Sequence, residues 1–181
     1  MFRLIVDAEI NLVFPEDALA PILFDLIDSN REYLGEWFPW IPDTRSVADM
    51  SRFIKSSISG FADGKQFVCG IEYQGNIVGV VSYYKIDREL KKANMGYWLA
   101  ESAQGKGVMT RCCKYLLHYA FDRLDMEKVE IIAASVNQRS RKLCERLGMT
   151  LEGVITNAEK LPQGIVDHAV YGLHKPVPED S

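Results

Sequence analysis

The segment Gln104-Gly105-Lys106-Gly107-Val108-Met109-Thr110 is where residue types and spacing in this chain point most directly to chemistry. A strand-like run, ANMGYWLA, precedes it, and a long amphipathic run follows. The two glycines let the backbone take conformations closed to other residues and come close to a ligand. The first N–H groups of a helix starting at Val108 have no partner inside the helix and lie at the positive end of its dipole. Such a turn suits a phosphate or pyrophosphate, and Lys106 adds charge beside it. A tight strand-to-helix turn that uses glycine only for its geometry has the same sequence, so spacing alone leaves both readings open. The GxxxxGK[ST] pattern of a nucleotide triphosphatase and the GxGxxG dinucleotide fingerprint are both absent.

Three other places hold reactive side chains. Asn137 precedes a short helical run that stops at Gly148, and Ser140, Leu143, Cys144 and Leu147 share one face of it. A hydroxyl on an apolar stripe needs a partner. That partner is either a carbonyl one turn back or something outside the helix. Glu159, in Asn157-Ala158-Glu159-Lys160, reads as a loop carboxylate after a strand, and His168 opens the last strand. A neutral imidazole suits proton transfer near pH 7, although a single histidine more often serves structure. His118 and His174 look peripheral, Glu101 and Ser102 shape the turn, and Cys112 and Cys113 read as buried apolar residues. Trp37 and Trp40 are either loop anchors or the wall of an acceptor cleft. Arg139, Arg141, Lys142 and Arg146 form a basic helix face, solvated or in reach of a terminal phosphate.

The elements that must position these groups follow from apolar periodicity. Strand 10–14 leads to a helix over 16–29, an aromatic-rich loop over 30–42, and a second helix over 46–62. QFVCGIEY and NIVGVVSYYKI are strands joined at Gln74-Gly75-Asn76, a hairpin signal, and ANMGYWLA is a third. A helix from Val108 to about Leu124, the strand KVEIIAAS, the Asn137 helix, and strands near 150–156 and 167–173 complete the chain. The order β-α-α-β-β-β-α-β-α-β-β predicts a single-domain α/β fold. Its central sheet is mixed and mostly antiparallel, with helices on both faces. The domain spans 1–175, and the polar, Pro-bearing 176–181 reads as a loose tail.

Composition narrows the function. The chain has 181 residues, 48% hydrophobic and 25% charged, as one soluble domain does. A net charge of −4 argues against a general nucleic-acid binder. No run approaches the roughly 18 apolar residues of a membrane span, and MFRLIVDAEI lacks the apolar core of a signal peptide. The four cysteines form no CxxC, so neither a zinc site nor a disulfide framework fits. We expect a cytoplasmic protein with reduced thiols, no metal and no membrane contact, free to form a homo-oligomer.

In this element order, Gln104-x-x-Gly107 resembles the acyl-CoA pyrophosphate loop of the GCN5-related N-acetyltransferases (GNAT). That family's pattern is [Gln/Arg]-x-x-Gly-x-[Gly/Ala], and Met109 stands at its last position. Gly96-Tyr97-Trp98-Leu99-Ala100, the loop Trp37-Phe38-Pro39-Trp40 and Glu152-Gly153 further resemble the RimJ/RimL branch, which acetylates protein N-termini, notably of ribosomal proteins. The resemblance covers nearly the whole chain. It implies an enzyme that takes acetyl-CoA as co-substrate and a primary amine as acceptor, most naturally the α-amine of a ribosomal or other protein. The rivals are a small-amine acetyltransferase acting on a polyamine, aminoglycoside or amino acid, and a non-catalytic acyl-CoA-binding module.

Transfer from a thioester to an amine requires a neutral amine, stabilisation of the charge growing on the thioester oxygen and a proton for the departing thiolate. The resemblance implies that the strand at Tyr97, Trp98 and Leu99 supplies backbone donors for the oxygen. It also implies that residues 104–110 hold the coenzyme and that Asn137 contacts its pantetheine arm. Many relatives carry a tyrosine acid where Cys144 stands here. In the RimL-like branch a serine at the place of Ser140 acts instead, and a glutamate at the place of Glu159 takes the amine proton, with His168 as rival base.

Overall fold

A computed structural model describes residues 2–177; residues 178–181 of the expected tail lie outside the described part. The strands are β1 (Arg3–Ile5), β2 (Ile10–Val13), β3 (Phe67–Tyr73), β4 (Asn76–Asp87), β5 (Lys92–Leu99), β6 (Lys128–Ala134), β7 (Thr150–Leu161) and β8 (Gly164–His174). They form one sheet in the order β1-β2-β3-β4-β5-β6-β8-β7. Every pairing is antiparallel except β5 with β6.

The helices are α1 (Ala20–Ser29), α2 (Arg31–Gly35), α3 (Val47–Ala62), α4 (Val108–Asp122) and α5 (Gln138–Arg146). Strand side chains alternate between faces, which divides the core in two. Leu23 and Ile27 of α1 and Met50 and Ile54 of α3 pack on Val80 and Trp98 on one face. Cys112, Cys113, Leu116 and Ala120 of α4 and Leu143 and Cys144 of α5 pack on Val81, Tyr83, Met95 and Ile131 on the other. The β3–β4 hairpin turns through Gln74 (φ 50°) and Gly75 (φ 82°), the two positive φ values of a type I′ turn.

One break in the sheet positions the site. β5 and β6 are paired from Lys92↔Lys128 to Met95↔Ile131 and no further. Gly96–Leu99 continue along β4, while Ile132–Ala134 continue along β8. The two parallel strands therefore diverge, and a gap opens through the sheet.

The expected elements are present, with three differences. β1 pairs with β2 because Asp7 accepts from the Glu9 and Ile10 N–H groups (2.8 and 3.0 Å), turning the chain where its apolar run is interrupted. Helix α2 occupies part of the expected loop 30–42. Finally, the last hairpin runs through 150–161 and 164–174, longer than the expected 150–156 and 167–173. β7 is an outer strand exposed on both sides to Asn157, and its register shifts between Ile155 and Glu159, so no period-two apolar pattern marks its far half. Glu159 is thus a strand residue opposite Val166, not a loop carboxylate.

Candidate active site

At the head of α4, Gly105 (φ 72°) and Gly107 (φ 71°) both hold the left-handed conformation that favours glycine. A Cβ at either would meet nothing within 4 Å, so their surfaces lie open. No side chain caps α4, and the Arg111 N–H is the first to return to the turn, bonding the Gly107 carbonyl at 3.1 Å. The amides of Val108, Met109 and Thr110 therefore face outward as donors. The Met109 side chain packs against the core beneath the helix, so it does not obstruct the turn. Arg146 Nη2 of α5 lies 3.4 Å from Thr110 Oγ1, bringing a cation to the same place. Gln104 and Arg139 both donate to the Tyr33 hydroxyl, the latter at 3.1 Å, tying the turn, α2 and α5 together.

From this turn a cleft of about 1360 Å³ runs into the gap between β5 and β6. The Ala100 N–H bonds the Val78 carbonyl, and the alternation of an antiparallel ladder then directs the amides of Tyr97 and Leu99 away from β4 into the gap. They are backbone donors open to a thioester oxygen lying in the gap.

On the α4–α5 face, Ser140 Oγ lies 2.6 Å from the Tyr97 hydroxyl. The serine is therefore not spent on a carbonyl of its own helix. Its N–H bonds Asn137 Oδ1 at 3.1 Å, so Asn137 both caps α5 and lines the cleft. Burial pushes the Tyr97 phenol well above the usual tyrosine range. Cys144 is fully buried, and burial pushes its thiol up to about 12, which makes it no substitute for a tyrosine acid.

On the opposite face, His168 pairs with Ala134 across the β8–β6 ladder, and its Nε2 lies 3.0 Å from Glu159 Oε2. The two rival bases are hydrogen-bonded to each other. Around them Trp37, Trp40, Phe53 and Tyr84 line the cleft. Trp40, Phe53 and Tyr84 keep 38%, 42% and 44% of their surface exposed, so these rings are cleft wall rather than core.

Tyr97, Trp98, Leu99, residues 104–110 apart from Lys106, Asn137, Ser140, Glu159 and His168 all line this one cleft, as do Arg139 and Arg146 of the basic helix face; Arg141 and Lys142 do not, and the Lys106 ammonium lies 6.0 Å from the Tyr73 ring outside it. Two features were not legible from spacing. The Tyr97 hydroxyl meets a residue 43 positions away. Tyr33, read as one aromatic of a loop, bridges three elements.

The sequence profile described as Acetyltransferase (GNAT) domain matches residues 10–150. The chain belongs to the GNAT acetyltransferase family. It is 35% identical over 155 residues to YdaF of Bacillus subtilis (strain 168), covering 84% of each chain. It is 27% identical over 149 residues to the ribosomal-protein-serine acetyltransferase of Escherichia coli (strain K12), covering 82% of this chain and 83% of that protein. Among solved structures it superposes on RimL, a ribosomal L7/L12 alpha-N-protein acetyltransferase in complex with coenzyme A, with a TM-score of 0.92. The identity there is 26%, over 96% of this chain and 98% of that one. The microcin C7 self immunity acetyltransferase MccE, in complex with acetyl-CoA and AMP, superposes with a TM-score of 0.90 at 31% identity, over 94% of each chain.

As a GNAT domain the protein is an N-acetyltransferase that uses acetyl-CoA. The turn fits that co-substrate on its own geometry: two open left-handed glycines and uncapped helix amides suit a pyrophosphate. Gln104 adds a buried Oε1 with no hydrogen-bond partner among the described residues, an acceptor open to a ligand N–H.

Proposed function

We propose that this chain acetylates the α-amine of a protein N-terminus, with ribosomal proteins as the leading substrate class. The observation that carries the reading is the division of the site by the sheet. The Tyr97–Ser140 pair lies on the α4–α5 face of the gap, and the Glu159–His168 pair lies on the other. The thioester is held along the gap by residues 104–110 and Asn137, with its oxygen at the amides of Tyr97 and Leu99. The amine enters past the aromatic wall. A base pair on the amine side and a hydroxyl on the sulfur side then serve opposite ends of one transfer.

An α-amine suits such a site. Its pKa is about 8, against about 10.4 for lysine, so reaching the neutral form near pH 7 costs about 3.3 kcal/mol less. The relatives named for ribosomal-protein acetylation support the acceptor class. We place the enzyme in the cytoplasm: Cys69, Cys112, Cys113 and Cys144 are free, and no described helix is long and apolar enough to cross a membrane. Homo-oligomerisation belongs to this reading too, since outer strand β7 exposes Leu151, Val154 and Ile155, an edge that proteins commonly cover. Nucleic acid is not a direct partner.

The test is coenzyme A release together with mass-spectrometric identification of acetylated products, across peptides with different N-termini, with spermidine and an aminoglycoside in the same panel. Acetylation confined to peptide α-amines is the expected outcome. Preferential turnover of spermidine or the aminoglycoside overturns the acceptor assignment.

A further inference from the structure

The Glu159–His168 pair has an internal division of labour that follows from its hydrogen bond. A carboxylate only accepts, so the hydrogen between Glu159 Oε2 and His168 Nε2 is carried by the imidazole. A neutral ring carries one N–H. With that hydrogen fixed on Nε2, Nδ1 is left as a bare lone pair, and it makes no hydrogen bond to the described residues. Both side chains are half-buried and line the acceptor half of the cleft. The neighbouring carboxylate, Asp167, is engaged elsewhere, accepting from the Asn157 N–H at 2.9 Å.

We propose that His168 Nδ1 is the base that takes the amine proton, and that Glu159 is its positioning residue. This assignment rests on the acetyl-transfer reading above. A nucleophile's base oriented by a third group is a recurring arrangement in acyl transfer, and here the amine comes with the substrate. The proton balance closes. Between ammonium and amide the nitrogen loses two protons. One passes to His168 Nδ1, making an imidazolium whose charge the Glu159 carboxylate faces at 3.0 Å, and solvent then removes it. The freed lone pair forms the N–C bond to the thioester carbon, the C–S bond breaks, and the second proton ends on sulfur with Ser140 as donor and the nitrogen replenishing it. Glu159 fixes the tautomer and steadies the imidazolium without itself becoming protonated.

The decisive variant is His168→Gln, which keeps an N–H donor for Glu159 but has no basic nitrogen. We expect kcat/KM for a peptide α-amine to fall by about 10²–10⁴-fold, with acetyl-CoA still raising the melting temperature as in wild type. In His168→Ala, added imidazole restores rate in proportion to its concentration. Glu159→Gln loses activity less steeply, and imidazole does not restore it. Independently of turnover, nitrogen NMR of the free wild-type protein finds His168 protonated on Nε2 and bare on Nδ1. A folded His168→Gln protein at wild-type rate beside a dead Glu159→Gln overturns the proposal, as does an Nδ1–H tautomer in wild type. If the His168 variants fail to fold, the tautomer decides alone. A wild-type protein that turns over no amine sinks the acetyl-transfer reading instead.

Discussion

A serine hydroxyl is a poor proton donor by itself, and the Tyr97 phenol 2.6 Å from Ser140 changes its position. Burial holds that phenol well above the usual tyrosine range, so it stays neutral through any working pH. A neutral phenol that donates to Ser140 Oγ leaves the serine's own hydrogen free to point into the gap, and hydrogen bonds in a chain polarise one another. Ser140→Ala should therefore lower kcat by about 10²–10⁴-fold while leaving the acetyl-CoA dissociation constant nearly unchanged, because the lost interaction belongs to the transition state. Tyr97→Phe should lower kcat by less, and should cost nothing further once Ser140 is alanine. Steady-state kinetics on the two single variants and the double variant check this; additive losses would make Tyr97 a packing residue. The thiols do not compete for the role. Burial pushes Cys69, Cys112 and Cys144 up to about 12 and Cys113 well above the ordinary thiol value, so an aromatic disulfide reagent at pH 8 should label the folded protein slowly and the denatured protein at once.

The turn between β5 and α4 is the element on which coenzyme binding depends. Gly107 caps α4 with φ 71°, a conformation that strains a β-branched residue, and a side chain there would project into the open surface that a phosphate needs. In wild type, acetyl-CoA at a hundred times its dissociation constant stabilises the fold by about 2.7 kcal/mol. For a chain this size that is roughly 5–11 °C in melting temperature. Gly107→Val should lose most of that shift in addition to lowering the starting temperature; a full shift in the variant would remove the turn from the coenzyme site. Trp40→Ala, on the other side of the gap, should raise KM for the peptide and leave the coenzyme-induced shift intact. This turn was readable in the sequence because its chemistry is local: two glycines, a glutamine and the start of an amphipathic helix adjoin one another. The helices and inner strands were readable for the same reason, each carrying its own apolar period. The far half of β7 was not, because Asn157 (φ 50°) breaks the extension and the ladder register shifts between Ile155 and Glu159, so the residues on either side of the break share no period. That hid the strand placement of Glu159. The side-chain pairs of the site were hidden for a different reason: Tyr97 and Ser140 are 43 residues apart, and only the splayed sheet brings them together.

The gap that makes the site also divides the molecule, since β5 and β6 are joined over only four residue pairs, Lys92↔Lys128 to Met95↔Ile131. A charge network staples that short junction. Glu130 of β6 is buried, 7% exposed, and its carboxylate meets Lys92 at 2.9 Å and Lys128 at 3.1 Å, while Lys128 reaches Glu152 of β7 at 2.6 Å. Asn94 Nδ2 donates to the other Glu130 oxygen at 3.4 Å. Burial alone would raise the Glu130 pKa, but the hydrogen bonds and charges of Lys92 and Lys128 together outweigh it and hold the carboxyl below its ordinary value. The sign follows. A carboxylate whose folded pKa is depressed contributes stability that is fully present above the unfolded value of about 4.3 and is lost as pH falls through the folded pKa. Glu130→Gln should therefore destabilise the protein at pH 7 and do so less and less as the pH drops below about 4. With the lysines partly exposed, the cost lies between the roughly 0–1 kcal/mol of a surface pair and the roughly 3–5 kcal/mol of a broken buried one. About 2 kcal/mol corresponds to roughly 4–8 °C. Melting temperatures of wild type and Glu130→Gln between pH 3 and 8, at low and high salt, measure it. Two curves that run parallel to pH 3 would mean that Glu130 acts through packing and the junction is held by its backbone ladder. Curves that converge on the acid side place the staple in the charge. In that case acetyl-CoA, bound where the strands diverge, should also stabilise the variant by as many degrees as it stabilises wild type, because the junction and the gap are separate parts of the same two strands.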